Sequence, residues 1–222
     1  MKYLYNVKKI IKSNTILIYF FNNFLFHNKL HFQKQKVRGL EHSVLKHSKI
    51  VINGKNNTVE LGANSYFDHC SIIIYGFNCQ IKIGDNCILN NAIFHLEDTK
   101  SKIIIGNNTS LTGIIELGSV EGKTISIGSN CIFSSKIHIV NSDSHSILDF
   151  DGNRINKAED VIIGNKVWVG YGATILKGTQ IRDTTIVGAN SLVNKKFDKT
   201  NVIIAGNPAK IIKENISWIY DR

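Results

Sequence analysis

An aliphatic residue returns at every sixth position of the chain between residues 163 and 193. These positions are Ile163, Val169, Ile175, Ile181, Val187 and Val193. Two positions before each return stands a smaller residue: Val167, Ala173, Thr179, Thr185 and Ser191. An α-helix repeats after 3.6 residues and a strand after two, so neither produces this rhythm. Short parallel strands stacked around tight corners do produce it, and three units would close one triangular coil of about 18 residues. The pattern therefore predicts an all-β solenoid.

The same unit recurs earlier in the chain, where its starts lie 22 residues apart. These units are Leu61-Gly62-Ala63-Asn64, Ile83-Gly84-Asp85-Asn86, Ile105-Gly106-Asn107-Asn108 and Ile127-Gly128-Ser129-Asn130. We interpret the additional residues as a bulge or short loop at one corner of each coil. Gly and Asn allow the backbone to turn sharply, and the segments between them are rich in Ile, Val and Thr, which favour strands. Residues 49–207 are therefore predicted to form one continuous solenoid domain.

Two terminal segments do not follow the repeat. Residues 1–48 begin with four lysines within twelve residues, and residues 15–26 are apolar apart from Asn22 and Asn23. A membrane-spanning helix needs about 20 apolar residues, so we predict a helical or irregular segment that packs on the solenoid. Attachment to an inner membrane face is the alternative. Residues 208–222, which begin at the only proline, are predicted to cap the solenoid end with a short helix over residues 211–219.

The net charge of +10 is concentrated in the first segment. Residues 1–48 contain nine Lys or Arg and one acid, Glu41, so they account for +8 and leave the solenoid almost neutral. A basic stripe for nucleic acid along the solenoid is therefore not indicated.

No CxxC pair is present among the four cysteines, Cys70, Cys79, Cys87 and Cys131. This usage favours reduced thiols and a cytoplasmic protein.

A long insertion interrupts the repeat between Ile139 and Ile163. It defines a loop of residues 140–160, which contains His145 with Asp143 two residues before it. A long loop on a rigid scaffold is a usual location for function. We therefore place the candidate active site in this loop.

Four motifs of the chain resemble those of the hexapeptide-repeat acyltransferases. They are Ser142-Asp143-Ser144-His145-Ser146-Ile147, Gly152-Asn153-Arg154-Ile155-Asn156, Ile163-Gly164-Asn165-Lys166-Val167-Trp168-Val169-Gly170 and Ala205-Gly206-Asn207-Pro208-Ala209-Lys210. Within that family the chain looks most like the O-acetyltransferases of capsular and other surface polysaccharides, including sialic acid polymers. Galactoside and maltose acetyltransferases are more distant likenesses. The resemblance implies a left-handed parallel β-helix, a homotrimer with an active site between adjacent subunits, and acetyl-CoA as cosubstrate.

His145 is the candidate general base. Transfer of an acetyl group from a thioester to a sugar requires removal of a proton from a hydroxyl that does not ionise at neutral pH. An imidazole titrates near neutrality and contributes typically ~10²–10⁴-fold to the rate as a general base. Asp143, or a backbone carbonyl, is expected to orient its ring. His138, on the last predicted strand before the loop, is the alternative base.

The resemblance also implies which residues hold acetyl-CoA. Trp168 and Tyr171 correspond to positions that line the thioester and pantetheine end, and Ala189 follows Tyr171 by one 18-residue coil. The remaining candidates are Asn194, Lys195, Lys210 and Lys213. The last two lysines replace a pair of arginines of the family, which keeps the charge and loses the bidentate fork. Arg154, in the loop, is the candidate residue for the acceptor.

Other functions stay open at this point. The acceptor of an acetyltransferase can instead be an amino-sugar nucleotide, which gives N-acetylation, or serine or a xenobiotic alcohol. Zinc-dependent carbonic anhydrases also occur as left-handed β-helices, but they need three converging histidines, and no histidine follows His145, so no metal is predicted. A noncatalytic trimeric scaffold is the third possibility, and it would neither bind acetyl-CoA nor need His145.

Overall fold

Short parallel strands wind around a triangular axis in the computed structural model, which describes residues 15–32 and 35–221. Strands are numbered in chain order, and each side of the triangle is called a face. Face 1 contains β3 (Val44–Lys46), β6 (Tyr66–Asp68), the first part of β9 (Ile88–Thr99) and of β11 (Ser110–Ser119), β13 (Ile132–Phe133), β16 (Trp168–Val169), β19 (Ile186–Val187) and β22 (Ile203–Gly206). Face 2 contains β1 (Lys29–His31), β4 (Lys49–Lys55), β7 (Ser71–Phe77), the second parts of β9 and β11, β14 (Ile137–Val140), β17 (Thr174–Ile175) and β20 (Leu192–Val193). Face 3 contains β2 (Lys36–Arg38), β5 (Thr58–Leu61), β8 (Gln80–Ile83), β10 (Lys102–Ile105), β12 (Thr124–Ile127), β15 (Val161–Ile163), β18 (Gln180–Ile181) and β21 (Lys196–Phe197).

The six-residue repeat is the core of this coil. All of its aliphatic positions between residues 163 and 193 are buried to 2 % exposure or less. In the parallel register Trp168 pairs with Ile186 and Thr174 pairs with Leu192, each 18 residues later in the chain. Successive coils therefore stack the repeat residues into one continuous apolar column. The predicted solenoid is confirmed, and it matches a left-handed parallel β-helix.

The additional residues of the upstream coils lengthen face 2. Strands β4 and β7 have seven residues each, whereas β17 and β20 have two. The longer strands add inward-facing residues such as Ile74 and Leu96, both of which are fully buried. The sequence pattern predicts a bulge or short loop at one corner of each of these coils. The additional residues instead extend a strand, because each pair of them offers another apolar side chain to the core.

The solenoid begins earlier than the predicted boundary at residue 49. Strands β1, β2 and β3 lie within residues 29–46 and pair in parallel with β4, β5 and β6. Leu45 is 1 % exposed and belongs to the main core. The six-residue spacing is too irregular there to be recognised in the sequence, although the backbone ladder continues. The described residues from 29 to 48 therefore belong to the solenoid.

A short helix precedes these strands and packs against the outside of face 1. Helix α1 (Thr15–Phe20) continues into a π-helical turn (Phe21–Leu25). Ile18 is buried against Val44 and Tyr66, while Leu17 and Tyr19 stay exposed. Contact with the solenoid thus buries one side of α1 and leaves the other side exposed. The basic residues 1–14 lie outside the described residues. Within residues 15–32 and 35–221, no helix combines the length and the apolar character needed to cross a bilayer.

The C-terminal segment forms a strand where we had expected a closing helix. Strand β23 (Ala209–Lys213) runs antiparallel to β22, and residues 214–221 contain no helix. The last strand of a solenoid face exposes unpaired backbone donors and acceptors. A hairpin satisfies these groups directly, whereas a helix would only cover them. The described chain then turns back towards face 1, where Ile216 N donates to Asn201 O over 3.0 Å.

All four cysteines are free thiols buried in the core. Burial raises the pKa of Cys70 to about 12 and that of Cys131 to about 11. Nucleophilic attack and metal binding require the thiolate. These cysteines therefore act as small core residues.

Candidate active site

The 140–160 loop leaves the solenoid at the corner between faces 2 and 3, directly after β14. Its entry residue, Asn141, is fully buried. The Asn141 side chain accepts from Val120 N over 3.0 Å and donates to Ser119 Oγ over 3.0 Å. At the exit, Glu159 N donates to Asn141 O over 3.0 Å. Both ends of the loop are therefore held at one residue of the scaffold.

A bidentate ion pair joins the middle of the loop to the preceding coil. Nη1 and Nη2 of Arg154 lie 2.6 and 2.9 Å from Oε2 and Oε1 of Glu121. The Ser142 hydroxyl donates to the same carboxylate, and the Arg154 guanidinium lowers the pKa of Glu121. This arrangement differs from the acceptor-binding role expected for Arg154, because its fork faces Glu121. In this structure Arg154 fastens the loop.

Asn156 supports the backbone on both sides of His145. Its Nδ2 donates to His145 O and to Asp143 Oδ2, each over 2.8 Å, and its Oδ1 accepts from Ile147 N over 2.7 Å. One buried amide thus holds three points of the loop. The position of His145 is set through its main chain.

The Asp143 carboxylate is engaged by Lys177, which lies at the same corner one coil later. Lys177 Nζ lies 2.5 Å from Asp143 Oδ2 and also donates to Asn156 O over 3.0 Å. The hydrogen bond from Lys177 lowers the pKa of Asp143. The sequence predicts that Asp143, or a backbone carbonyl, orients the His145 ring. In the structure the Asp143 carboxylate contacts Lys177 and Asn156, and its carbonyl oxygen accepts from His145 N over 2.7 Å.

His145 itself presents an exposed imidazole on this braced loop. In the described part of the chain its ring forms no hydrogen bond or ion pair with another residue. An accessible neutral imidazole can accept a proton from a hydroxyl group that approaches it. The structure thus combines a fixed backbone with an accessible candidate base.

An open groove of about 500 Å³ runs along face 2 beside the loop. Ser142 and Ser144 of the loop line one end, and His138 lies on its floor. His138 Nδ1 lies 3.4 Å from Glu116 Oε2, and further along the groove His95 Nε2 lies 3.3 Å from Glu97 Oε1. The groove therefore presents hydroxyls and imidazole–carboxylate pairs, which can hydrogen-bond a polar ligand. His138, the alternative base, lines this groove and already has an acidic neighbour.

Trp168 lies on the outer surface of face 1. Its neighbours in the ladder are Ile132 and Ile186, and it is 42 % exposed. The Trp218 ring, from the C-terminal segment, lies 6.2 Å from the Trp168 ring, and its Nε1 donates to Lys166 O over 3.0 Å. Face 1 thus carries an apolar, partly aromatic strip. Such a surface suits the apolar part of a ligand.

Tyr171 and Ala189 share the corner between faces 1 and 2, as their 18-residue spacing predicts. Asn190 N donates to Tyr171 O over 2.7 Å, so the two coils are in direct backbone contact there. Both side chains are exposed. Lys136, one coil earlier, lies 5.6 Å above the Tyr171 ring.

The four remaining cofactor candidates divide between two places. Asn194 and Lys195 lie at the corner between faces 2 and 3, one coil beyond Lys177. Lys210 and Lys213 lie on β23, next to the last strand of face 1. All four side chains are exposed. Only the β23 pair shares a face with Trp168.

One chain does not bring the candidate base and the aromatic strip together. His145 belongs to the corner between faces 2 and 3, whereas Trp168 lies on face 1, on the other side of face 2. No role was predicted from the sequence for four residues that shape these surfaces: Glu121, Asn156, Lys177 and Trp218. The contacts that give them their roles join residues 9 to 52 positions apart in the chain, and the sequence contains no local signal for them.

No protein-family model matches the chain. Among curated proteins it is similar to a polysialic acid O-acetyltransferase of Neisseria meningitidis, with 38 % identity over 104 residues, which cover 46 % of this chain and 48 % of the relative. A polysialic acid O-acetyltransferase of Escherichia coli O1:K1 is 38 % identical over 95 residues, covering 42 % of this chain and 31 % of the relative. The matches therefore span about half or less of these relatives.

Solved structures extend the similarity over most of the chain. The polysialic acid O-acetyltransferase OatWY has a TM-score of 0.76 and 32 % identity, covering 88 % of this chain and 89 % of that one. The polySia-specific acetyltransferase NeuO has a TM-score of 0.72 and 30 % identity, covering 87 % of this chain and 79 % of that one.

Proposed function

Because the chain belongs to the hexapeptide-repeat acetyltransferases that include the polysialic acid O-acetyltransferases, we propose that it transfers an acetyl group from acetyl-CoA to a sugar hydroxyl. The acceptor is a capsular or other surface polysaccharide, with sialic acid polymers as the first candidate, or a precursor of such a polymer. The observation that carries this proposal is the loop, which holds an accessible His145 by its backbone beside a groove of hydrogen-bonding side chains.

In the proposed reaction His145 removes the proton of the acceptor hydroxyl. The hydroxyl oxygen forms a bond to the thioester carbonyl carbon, the C–S bond breaks, and the departing CoA thiolate takes up the proton. No covalent acyl-enzyme is required. Asn156 and the Asp143–Lys177 pair act on this step by positioning, because they fix the loop on both sides of the base.

Acetyl-CoA would lie along face 1. Trp168, flanked by Ile132 and Ile186, offers apolar surface to the pantetheine arm, and Lys210 and Lys213 lie on the neighbouring β23, where they can meet the phosphates. Tyr171 and Ala189 border the same surface at the corner. Asn194 and Lys195 lie at the other edge of face 2, so they would contact a cofactor bound to a neighbouring subunit.

We further propose that the enzyme is a homotrimer with the active site between subunits. A second chain is needed to bring a Trp168 strip to a His145 loop. The loop also exposes four large apolar side chains, Ile147, Leu148, Phe150 and Ile155. An apolar cluster on an exposed loop indicates a surface that a partner covers, and a threefold arrangement of identical chains is a closed one.

The central test measures CoA release with a sialic acid polymer as acceptor. His145→Ala should lower kcat by about 10²–10⁴-fold, whereas the matched control His138→Ala should retain most of the activity. Trp168→Ala should raise KM for acetyl-CoA with a smaller effect on kcat. Near-normal turnover by His145→Ala, with loss in His138→Ala, would assign the base to His138.

A parallel series with neutral polysaccharides and amino-sugar nucleotides identifies the acceptor, and transfer only to an amine would overturn the O-acetyl proposal.

We place the reaction in the cytoplasm. Acetyl-CoA is made there, and the four buried free thiols are consistent with a reducing compartment. Recovery of the protein in an oxidising compartment, with cysteines paired, would contradict this location.

A further inference from the structure

Three histidines form a column at one corner of the first coils. His27, His47 and His69 occupy equivalent positions between face 1 and face 2, with φ values of 49°, 48° and 54°. Asn91 continues the column with φ 52°. A left-handed backbone favours Asn, Asp and His over other residues with side chains, so the corner alone explains a polar residue here. It does not explain the arrangement of the side chains.

The imidazoles of His47 and His69 converge on one carboxylate. Asp68 Oδ1 lies 2.7 Å from His69 Nδ1 and 3.7 Å from His47 Nδ1. All three ligand atoms lie within 4.8 Å of one another. Ligand atoms around a tetrahedral zinc ion lie about 3.3 Å apart, because each is about 2.0 Å from the ion. The spacing of these three atoms therefore approaches that of one face of a coordination tetrahedron.

The oxygen at the centre of this cluster is buried but not properly hydrogen-bonded. Asp68 Oδ1 accepts no well-aligned hydrogen bond, even though His69 Nδ1 is 2.7 Å away. The other oxygen, Oδ2, lies 3.3 Å from the Tyr66 hydroxyl, which can donate to it. A buried carboxylate oxygen that accepts no well-aligned hydrogen bond is costly. A cation placed between this oxygen and the two imidazoles would supply the missing interaction, and Tyr66 would orient the carboxylate from behind.

The backbone that carries these side chains is hydrogen-bonded to the neighbouring coils. His47 N donates to Phe26 O over 2.8 Å, and His69 N donates to Lys46 O over 2.9 Å. Asp68 is part of β6 and is paired in register with Lys46 on one side and Asn90 on the other. Among the described residues, Asp68 forms its ion pairs with the two imidazoles and not with Lys46. The ligand set is therefore built on rigid strands and corners, which reduces the cost of ordering it on binding.

We propose that His47, Asp68 and His69 form a binding site for one divalent transition-metal ion, with Zn²⁺ as the probe. Two imidazoles and one carboxylate are a usual zinc ligand set, and the exposure of both histidines leaves room for water in the remaining positions. The ion would link the corners of two adjacent coils near helix α1. Strand β7, which follows His69, lies three coils before β14, from which the 140–160 loop leaves the solenoid. We therefore expect the role of the ion to be structural and separate from acetyl transfer.

The test is equilibrium dialysis of the full chain against Zn²⁺ with metal analysis, combined with thermal unfolding. The wild type should bind one ion per chain at this site, and its Tm should rise with Zn²⁺. Asp68→Asn and His69→Asn should each weaken this binding by more than about 100-fold, because loss of a ligand costs more than the loss of an outer-shell partner, and should abolish the metal-dependent rise of Tm. The matched control His42→Asn replaces an exposed histidine outside the cluster and should bind as the wild type does.

Two features keep the result interpretable. Asn tolerates the left-handed corner, so His47→Asn and His69→Asn should have the wild-type Tm in the absence of metal, and Asp68→Asn preserves the shape of its side chain. Zn²⁺ binding that is equal in the wild type and the Asp68→Asn and His69→Asn variants would overturn the proposal. So would the absence of stoichiometric binding in the wild type.

Discussion

The role of Arg154 depends on the residues that surround it in the folded chain. In the sequence it is a cation in the candidate active-site loop, which suggested a contact with the acceptor. In the structure its guanidinium forms two hydrogen bonds with Glu121, 33 residues earlier in the chain. The planar fork of Arg matches a carboxylate, and the two side chains are each about one-quarter exposed. Arg154 therefore fastens the loop, and the proposed base, His145, is a different residue of the same loop.

The acids that fasten the loop should make its order depend on pH. Hydrogen bonds from Arg154 and Lys177 lower the pKa of Glu121 and Asp143, respectively. A lowered pKa in the folded state means that the stabilisation is present above the ordinary carboxyl value of about 4 and is lost as pH falls through the folded values. We expect hydrogen exchange of the Ile147 amide, corrected for its intrinsic rate, to be constant from pH 7 to 5 and to accelerate below pH 4.

Substitution separates this anchor from general acid unfolding. Glu121→Gln should increase exchange in residues 142–158 several-fold at pH 7 and should lower kcat, because His145 is then less well positioned. Glu60→Gln, which alters an ion pair on face 3, is the matched control and should change neither. Unchanged loop protection in Glu121→Gln would show that the Asn141 and Asn156 contacts hold the loop alone.

At the scale of elements, the corners matter as much as the strands. Strands of two residues, such as β16 to β20, are too short to be stable by themselves. They persist because each pairs with the equivalent strand 18 residues away and because the backbones of adjacent corners approach closely. A Cβ added at Gly170 would lie 2.7 Å from Ala189 N and 2.9 Å from Val187 O. Glycine is therefore required there for the coils to stack.

Gly170→Ala should destabilise the solenoid by about 1–3 kcal/mol, because backbone atoms of the next coil must move. The variant should also raise KM for acetyl-CoA, since Gly170 lies between Trp168 and Tyr171. Chemical denaturation and steady-state kinetics measure the two effects. Gly118→Ala is the matched control, because the nearest atom to its added Cβ is Val140 Cγ1 at 3.4 Å, and it should change stability by less than about 0.5 kcal/mol. Equal stabilities would refute the close-stacking argument.

At the scale of the whole molecule, the described chain is a three-sided prism whose candidate site residues lie on different parts of its surface. The proposed base, His145, lies at one corner, the aromatic strip lies on a face that does not meet this corner, and an apolar loop tip extends from the same corner as His145. Phe150, at the tip, is fully exposed. These three features have a common explanation if identical prisms associate with the loop of one covering the surface of the next.

Phe150→Asp should therefore weaken assembly and activity together. Light scattering after size exclusion should show a concentration-dependent shift from trimer towards monomer, and activity per chain should fall in parallel. The matched control is Ile162→Asp, which places the same charge at an exposed apolar position on face 3. A wild-type chain that is monomeric and fully active would overturn the shared-site proposal.

The fold was accessible from the sequence because a solenoid is built from local repeats. A residue every sixth position reports directly on which side chains face the interior, so Ile163 to Val193 were enough to predict strands, register and a parallel coil. The repeat cannot be recognised in the sequence where its spacing varies. Strands β1 to β3 were not predicted for that reason. The helix predicted over residues 211–219 is wrong, because a short apolar run has no period that distinguishes helix from strand.

The loop was also found from the sequence, since it interrupts a regular series, and with it came His145. The partners of the charged loop residues, Asp143 and Arg154, could be identified only from the tertiary structure. Glu121, Asn156 and Lys177 meet Arg154 and Asp143 only because the coil places distant residues at one corner, and the His47–Asp68–His69 cluster arises in the same way. Local periodicity is a property of residues close together in the chain, so it can be recognised from the sequence alone. Side-chain partnerships across coils depend on which residues the winding brings into contact, and only the folded chain decides that.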